Sequence, residues 1–540
     1  TAPNQPYEAT FDKLTFRSGL DGADQYLLLD GFSRGTHMHF DGNAIIHFAD
    51  RGACWLVDGE YIRNGPKYHN SLTVLRDGES ALLPAVTSLE RQTELESCGF
   101  TSTRIIGYNG TSWTRHLLWE KGSYFVVLDQ VTAEEPGTFT LGSTWRVLGE
   151  PRLEEGVLTC RQGGSFVQLY NLSGGTADLR FQRMAGEWPI HSAAWRVERP
   201  LKKGEGYTFR SFFYASSPDR PQQLSAAPVG ARGVLVYRDP QRVWWGIASA
   251  AEPARLHGVE TDAALFRIAA EGFALAGATR LAAGGELVTA SHPIDIELNA
   301  QTGRGTLVAG QPAVVWLRLA TGARLSVDEG APISADAEGR VQFRVTPGRH
   351  VLQTTPFTLP DKVNAALSLI STTPRPTGAQ PAAPQPPPDW TFADFPTEGE
   401  LLAVQGVSAT APPTGRYGPV EKLVDRQYSS SLHSVMWGPG VAPVVTLDLG
   451  SEREVDAIRV RAWELSEVQK GVGCRAEVSN DAFQADVRPV RGEFRFAGTE
   501  EFGANVNTLY RAAVSARARY VRLSFTPGSP NGQVYLAEVE

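Results

Sequence analysis

The chain has 540 residues, too many for one ordinary domain, so about two to four are expected. Hydrophobic residues make up 42% and charged residues 20%, a soluble globular balance, and no run of eighteen apolar residues is present to span a membrane. Acidic residues outnumber basic ones, 59 to 51, and the net charge of −8 argues against nucleic acid as the main partner while still allowing a local basic cleft for an anionic sugar.

Gly 54 and Pro 35, with many Val, Thr and Tyr, favour short strands and turns. The four cysteines, Cys54, Cys98, Cys160 and Cys474, are too sparse for a disulfide scaffold. Cys54 and Cys98 are placed to pair across neighbouring strands or to remain free, buried thiols. Thr1 is not a start methionine, which reads as a mature product cut from something longer. Asn109-Gly110-Thr111 and Asn171-Leu172-Ser173 fit the glycosylation sequon, a triplet that also arises by chance.

From Phe11 to about Tyr214, short apolar runs alternate with Gly, Asp and Asn turns, which predicts antiparallel β-structure in packed sheets. Four of the ten histidines fall here within 33 residues: His37, His39, His47 and His69. His37, His39 and Asp41 are spaced i, i+2, i+4 and would share one face of an extended segment. Asp58 ends the apolar run Cys54-Trp55-Leu56-Val57, and His69 opens Ser71-Leu72-Thr73-Val74-Leu75. Adjacent strands would thus gather imidazoles and a carboxylate, a donor set suited to zinc. His47, on Ala44-Ile45-Ile46-His47-Phe48, reads as a histidine satisfied within the sheet.

The strand pattern continues from Gly233 to Thr355, through Val234-Leu235-Val236-Tyr237, Val243-Trp244-Trp245-Gly246-Ile247, Ala313-Val314-Val315-Trp316-Leu317-Arg318-Leu319 and Val341-Gln342-Phe343-Arg344-Val345. Trp244-Trp245 reads as core in preference to a sugar-stacking platform. The Pro- and Ala-rich stretch from Thr372 to Asp389 predicts an extended linker. Beyond it lie Glu421 to Arg426, Trp437, Val444 to Gly450, Val455 to Val460, Ala518 to Leu523 and Val534 to Val539, the strands of a separate unit. The expected domains are 1–228, a β-sandwich with a metal site; 229–356, its continuation or a small β-module; 357–397, the linker; and 398–540, a β-jelly roll. The fold class is all-β, with a multi-sheet antiparallel supersandwich first.

Two resemblances add to this reading. Tyr26 to Gly31, Gly35 to Asn43, Trp55 to Asp58 and His69 to Leu72, with the hairpin Trp113 to Leu128, resemble the heparinase II/III-like β-domain of polysaccharide lyases over about the first 220 residues, and more weakly to about residue 356. The resemblance implies that His37 is catalytic and that His39, Asp58 and His69 hold a structural zinc; Arg34 and Tyr68 flank this cluster and are candidates to touch substrate. Asp41 and Asn43 read as turn or supporting groups. In such enzymes an (α/α) toroid supplies further catalytic residues. No helical repeat precedes Phe11 to Arg17, so a separate helical chain, or further copies of this one, is the expected partner, and this chain alone is expected to be inactive.

The second resemblance, over about 140 residues, is to the discoidin, or coagulation factor 5/8 type C, module. It implies binding to glycans, lipids or proteins, with Asp425 and Glu538 at positions that often ligate calcium. Together the two imply a secreted or cell-surface protein acting on an acidic polysaccharide or cell-surface glycan by β-elimination. The alternative is a non-catalytic structural or adhesive protein on a lyase-like scaffold. Glycoside hydrolysis is a weaker third reading, because it needs a pair of carboxylates across a cleft.

Overall fold

A computed structural model of the chain describes residues 5–33, 39–58, 65–183, 189–370, 402–414, 419–424, 435–463, 473–490, 494–502, 505–527 and 533–539. Its contacts divide into two compact units, Thr1–Arg180 with His191–Ala379, and Phe181–Ile190 with Gln380–Glu540. Both are built from antiparallel sheets, as the alternation of apolar and polar residues predicts.

The first unit is layered. Among the described residues its first sheet has nine strands, in the order Lys13–Arg17, Tyr26–Asp30, Ile45–Asp50, Ala53–Val57, Gly137–Leu148, Pro189–Leu201 and Thr176–Arg183, with Leu72–Arg76 and Glu79–Ser80 branching from Gly137–Leu148. The second sheet has eight, with Thr111–Glu120, Tyr124–Ala133 and Gly206–Ser216 at its centre. Leu27, Phe48, Trp55 and Trp145 from the first sheet pack against Leu117, Phe125 and Phe213 from the second. The second sheet's other face, through Phe100, Val126 and Tyr214, packs on Val234, Val243 and Trp245 of the third sheet. A sheet covered on both faces needs apolar residues at every position. That is why Tyr124-Phe125-Val126-Val127-Leu128 is continuous rather than alternating, and all five are buried.

Trp244 and Trp245 are both core, on opposite faces of one strand. Trp244 stacks edge-on to Phe266, while Trp245 donates its indole N–H to the Tyr124 hydroxyl at 2.9 Å. Trp245→Ala is expected to cost about 3–5 kcal/mol, because it leaves a cavity between two sheets as well as losing the transfer energy. Urea unfolding of the full chain would check this. A loss below about 1 kcal/mol would mean that the two sheets close over the gap.

Polar contacts also join the second and third sheets. Glu297 accepts from the Glu96 and Ser97 backbone N–H groups at 2.6 and 3.1 Å, and Arg267 pairs with Glu120 at 2.7 Å. Strand Ser225–Val229 already pairs within the third sheet. Residues on both sides of position 228 therefore share one core. Packed structure also continues beyond residue 356. A helix, Asp361–Ser368, lies inside the segment assigned to the linker and buries Val363, Ala366 and Leu367 on the third sheet's core. Their i, i+3, i+4 spacing is the helical signal, short and easily lost beside the proline-rich run. The expected linker stretch 372–389 lies outside the described residues.

The second unit has a core of its own: Leu423, Trp437, Val445, Leu447, Ile458, Val460, Val521, Leu523 and Leu536. Its two longest strands, Val444–Trp463 and Asn505–Thr526, pair along most of their length with register shifts that bend them. Trp437 is fully buried and donates to the Ala411 carbonyl at 2.9 Å, a core residue. All four cysteines are free thiols, so Cys54 and Cys98 do not pair. No helix among the described residues is long and apolar enough to cross a membrane.

Candidate metal centre

The centre is assembled from a loop, a strand end and a short helical turn. The loop is His39-Phe40-Asp41-Gly42-Asn43. Phe40 is buried with Leu72, Trp113 and Phe139, which leaves His39 and Asp41 half-buried beside it. The segment is not a strand, and Gly42 and Asn43 form a turn. Its shape comes from a tight turn in which the Ala44 N–H donates to the Asp41 carbonyl at 2.9 Å, with Asn43 left-handed at φ 64°. The Gly42 N–H donates to the Ser33 hydroxyl at 2.8 Å, and the Asn43 side-chain oxygen accepts from Thr103 at 2.6 Å.

Asp58 follows strand Ala53–Val57, and its N–H returns to the Ile46 carbonyl at 3.1 Å. His69 caps the turn Pro66–Tyr68 and is fully buried. Next to it, Asn70 staples the elements together. Its amide donates to the Ile45 and Val57 carbonyls at 2.7 and 3.2 Å, and its oxygen accepts from the Arg146 N–H at 2.5 Å. The His-Asn pair thus divides its labour, His69 facing the site and Asn70 holding three strands.

His69 Nδ1 bonds to Asp58 Oδ1 at 2.7 Å, and both side chains are essentially excluded from water. Burial opposes the imidazolium, but Asp58 and Asp41 beside it raise His69 above the usual histidine value. Burial pushes the Asp41 carboxyl up to about 6, against the attraction of His69 and with help from Asp30 and Asp58. The other nitrogen, His69 Nε2, is buried with no hydrogen-bond partner among the described residues, as is Asp58 Oδ2. One donor atom each from His39, Asp41 and His69 lie within 4.8 Å of one another. The two imidazole rings are 5.8 Å apart.

A buried imidazole nitrogen without a partner costs free energy unless something fills the place. Two imidazoles and a carboxylate suit zinc, and a carboxylate on the far nitrogen is the usual support for a metal-bound histidine. The residues therefore fit such an ion. Asp58, expected as a ligand, contacts His69 Nδ1 through Oδ1, and Asp41, expected as a turn or supporting group, has a donor atom within 4.8 Å of those of His39 and His69. Asp58 also lies 3.5 Å from Arg146 Nη1.

Tyr68 is buried at 7% exposure, its carbonyl accepts from Arg146, and the Lys67 ammonium sits 5.0 Å over its ring. His47 sits beside Cys54 and Tyr26 on its strand, and burial lowers its pKa. Arg34, His37 and Asp425 lie outside the described residues. Strand Val534–Val539 sets Glu538 opposite Arg461 in the second unit. Two supporting arginines, Arg115 and Arg146, were not singled out from the sequence. The available signal for Arg115 was a charge in the middle of Trp113-Thr114-Arg115-His116-Leu117-Leu118-Trp119, a run too apolar to leave it in water.

No family model matches the chain, and no curated protein does either. Among solved structures, the chain is similar to heparan sulfate lyase HepC from Pedobacter heparinus, at 15% identity and a TM-score of 0.36 over 44% of this chain and 42% of that one. It is similar to heparinase III at 14% identity and a TM-score of 0.35, over 43% and 41%. A carbohydrate-binding module, the CBM32 of AlyQ in complex with 4,5-unsaturated mannuronic acid, matches at 23% identity and a TM-score of 0.19, over 25% of this chain and 93% of the module. The chain spans less than half the length of the lyases it matches.

Proposed function

We propose that this chain is the β-part of a secreted lyase that cleaves uronic-acid polysaccharides by β-elimination, with a carbohydrate-binding unit at its C-terminus. The observation that carries the reading is the buried His69 Nε2, with no hydrogen-bond partner among the described residues, in contact with Asp58 through Nδ1 and grouped with His39 and Asp41. His39, Asp41 and His69 would hold a structural zinc, whose charge would bind the loop to the turn at His69. His37 precedes His39 by two residues in the sequence.

Elimination needs the sugar carboxylate neutralised, a base for the C5 proton and an acid for the leaving oxygen. His37 is suited to one of the two proton transfers. The neutralising group and the other proton-transfer group would come from a helical toroid on a partner chain. Calcium between Asp425 and Glu538 would belong to the C-terminal unit.

Metal analysis of chelator-free protein and the ultraviolet absorbance of unsaturated product test the reading. The expected result is about one zinc per chain. The chain alone should show no turnover, and adding a helical partner should produce turnover that His37→Ala abolishes. Under about a tenth of an equivalent of any transition metal would sink the metal centre. A zinc-loaded chain that no helical partner activates would favour the adhesive scaffold instead.

A further inference from the structure

Strand Ala313–Arg318 alternates cleanly. Ala313, Val315 and Leu317 are buried, while Trp316 is 37% exposed and Arg318 is exposed. Strand Arg340–Val345 does the same, with Val341, Phe343 and Val345 inward and Arg340, Gln342 and Arg344 outward. The register sets Trp316 opposite Gln342, Val314 opposite Arg344 and Arg318 opposite Arg340. On the other side Trp316 faces Thr289. An indole thus lies among arginines on an open sheet face, at cross-strand and diagonal spacings of about 5–8 Å.

The arginines differ. Arg340 is tied to Asp336 and Glu338 at 3.1 and 3.2 Å. Arg318 and Arg344 form no ion pair among the described residues, in a protein of net charge −8. Past the strand's end, Arg318 also lines a cleft of about 310 Å³ with Phe357, Asp361 and Lys362. Strand Arg340–Val345 pairs with one neighbour, so charged residues on it guard an edge. Edge protection explains the arginines. It does not explain Trp316, whose exposed ring would invite the aggregation that the charges prevent.

We propose that this face binds a strand of acidic, uronate-bearing polysaccharide, separate from the metal centre. The indole stacks on the C–H face of a pyranose. Arg318 and Arg344 take carboxylate or sulfate groups by forked hydrogen bonds, and Gln342 and Thr289 serve the hydroxyls. The choice of acidic glycan as ligand rests on the function proposed above; the place of the surface does not.

Affinity electrophoresis of the full chain through gels containing heparin, alginate or dextran tests it. Retardation by heparin or alginate, but not dextran, is expected. Trp316→Ala should weaken retention about tenfold, since an aromatic anchor carries much of such a contact. Arg318→Gln with Arg344→Gln should weaken it similarly and flatten its salt dependence. Trp316→Phe should keep most of it, and unchanged thermal unfolding would confirm intact folding. Wild-type mobility for Trp316→Ala, equal retardation by dextran, or no retardation of the wild-type chain would each overturn the inference. Zinc content of the same samples reports the metal centre independently, so either reading can fail alone.

Discussion

Replacing Arg115 by alanine should lower the stability of the first unit by about 3–5 kcal/mol, the cost of breaking a buried, fully bonded ion pair. Arg115 is wholly buried. Its Nε and Nη2 donate to the two oxygens of Asp129 at 2.7 and 3.0 Å. Its Nη1 donates to the Asn43 and Asn70 carbonyls at 2.7 and 2.9 Å, and Trp113 adds a bond to Asp129 at 2.8 Å. Alanine would leave a carboxylate in a dry site and take a donor from the Asn43 and Asn70 carbonyls, the latter keeping only the Ile45 N–H at 3.2 Å. Arg115→Lys keeps the charge but loses the fork, so a smaller loss is expected. A paired change to apolar residues, Arg115→Met with Asp129→Leu, should be milder than Arg115→Ala, because no charge is stranded. Urea unfolding with an unchanged slope would measure this. A drop below about 1 kcal/mol for Arg115→Ala would show that water reaches Asp129. Asn43 ends the loop of His39 and Asp41, and Asn70 adjoins His69, so zinc content should fall with stability.

The two carboxylates near His69 should respond differently to neutralisation. Asp41→Asn removes a group placed with His39 and His69, and zinc content should fall from about one equivalent to about a tenth. Asp58→Asn keeps a polar group against His69 Nδ1 but loses the charge that orients the ring. Zinc should still bind, about 10–100-fold more weakly, as expected for a supporting partner. Metal titration against a competing chelator would separate the two. The reverse order, with Asp58→Asn abolishing binding and Asp41→Asn sparing it, would make Asp58 the ligand and Asp41 a turn residue. Both variants keep side-chain volume, so loss of folding should not confuse the comparison.

The sandwich layers were legible because burial writes a period into each strand. Lys13–Arg17 alternates with one face wet. Tyr124 to Leu128 is apolar throughout because both its faces are covered. The sequence predicts His39 on an extended strand next to that of His69, whereas the structure brings His39 from a loop and His69 from the end of a short helical turn. The helix Asp361–Ser368 was not legible either. Its eight residues carry three inward positions, too few to stand out from a neighbouring run of prolines and alanines.

The sequence by itself determined which side chains share a face, because a strand's two-residue period and a helix's 3.6 set the alternation along each element. It also determined that both units are β-structure and that each has apolar strands enough for a core. Only the tertiary structure decided which carboxylate meets which imidazole nitrogen. Asp41 and Asp58 are equivalent as letters. Their difference arises from the turn that brings Ala44 back to Asp41 and from the packing of His69 against the end of strand Ala53–Val57. The same holds for Trp316 and Trp245, two tryptophans in similar apolar strands. A second sheet lies over Trp245, whereas Trp316 faces outward, and no local pattern encodes what lies on the far side of a strand.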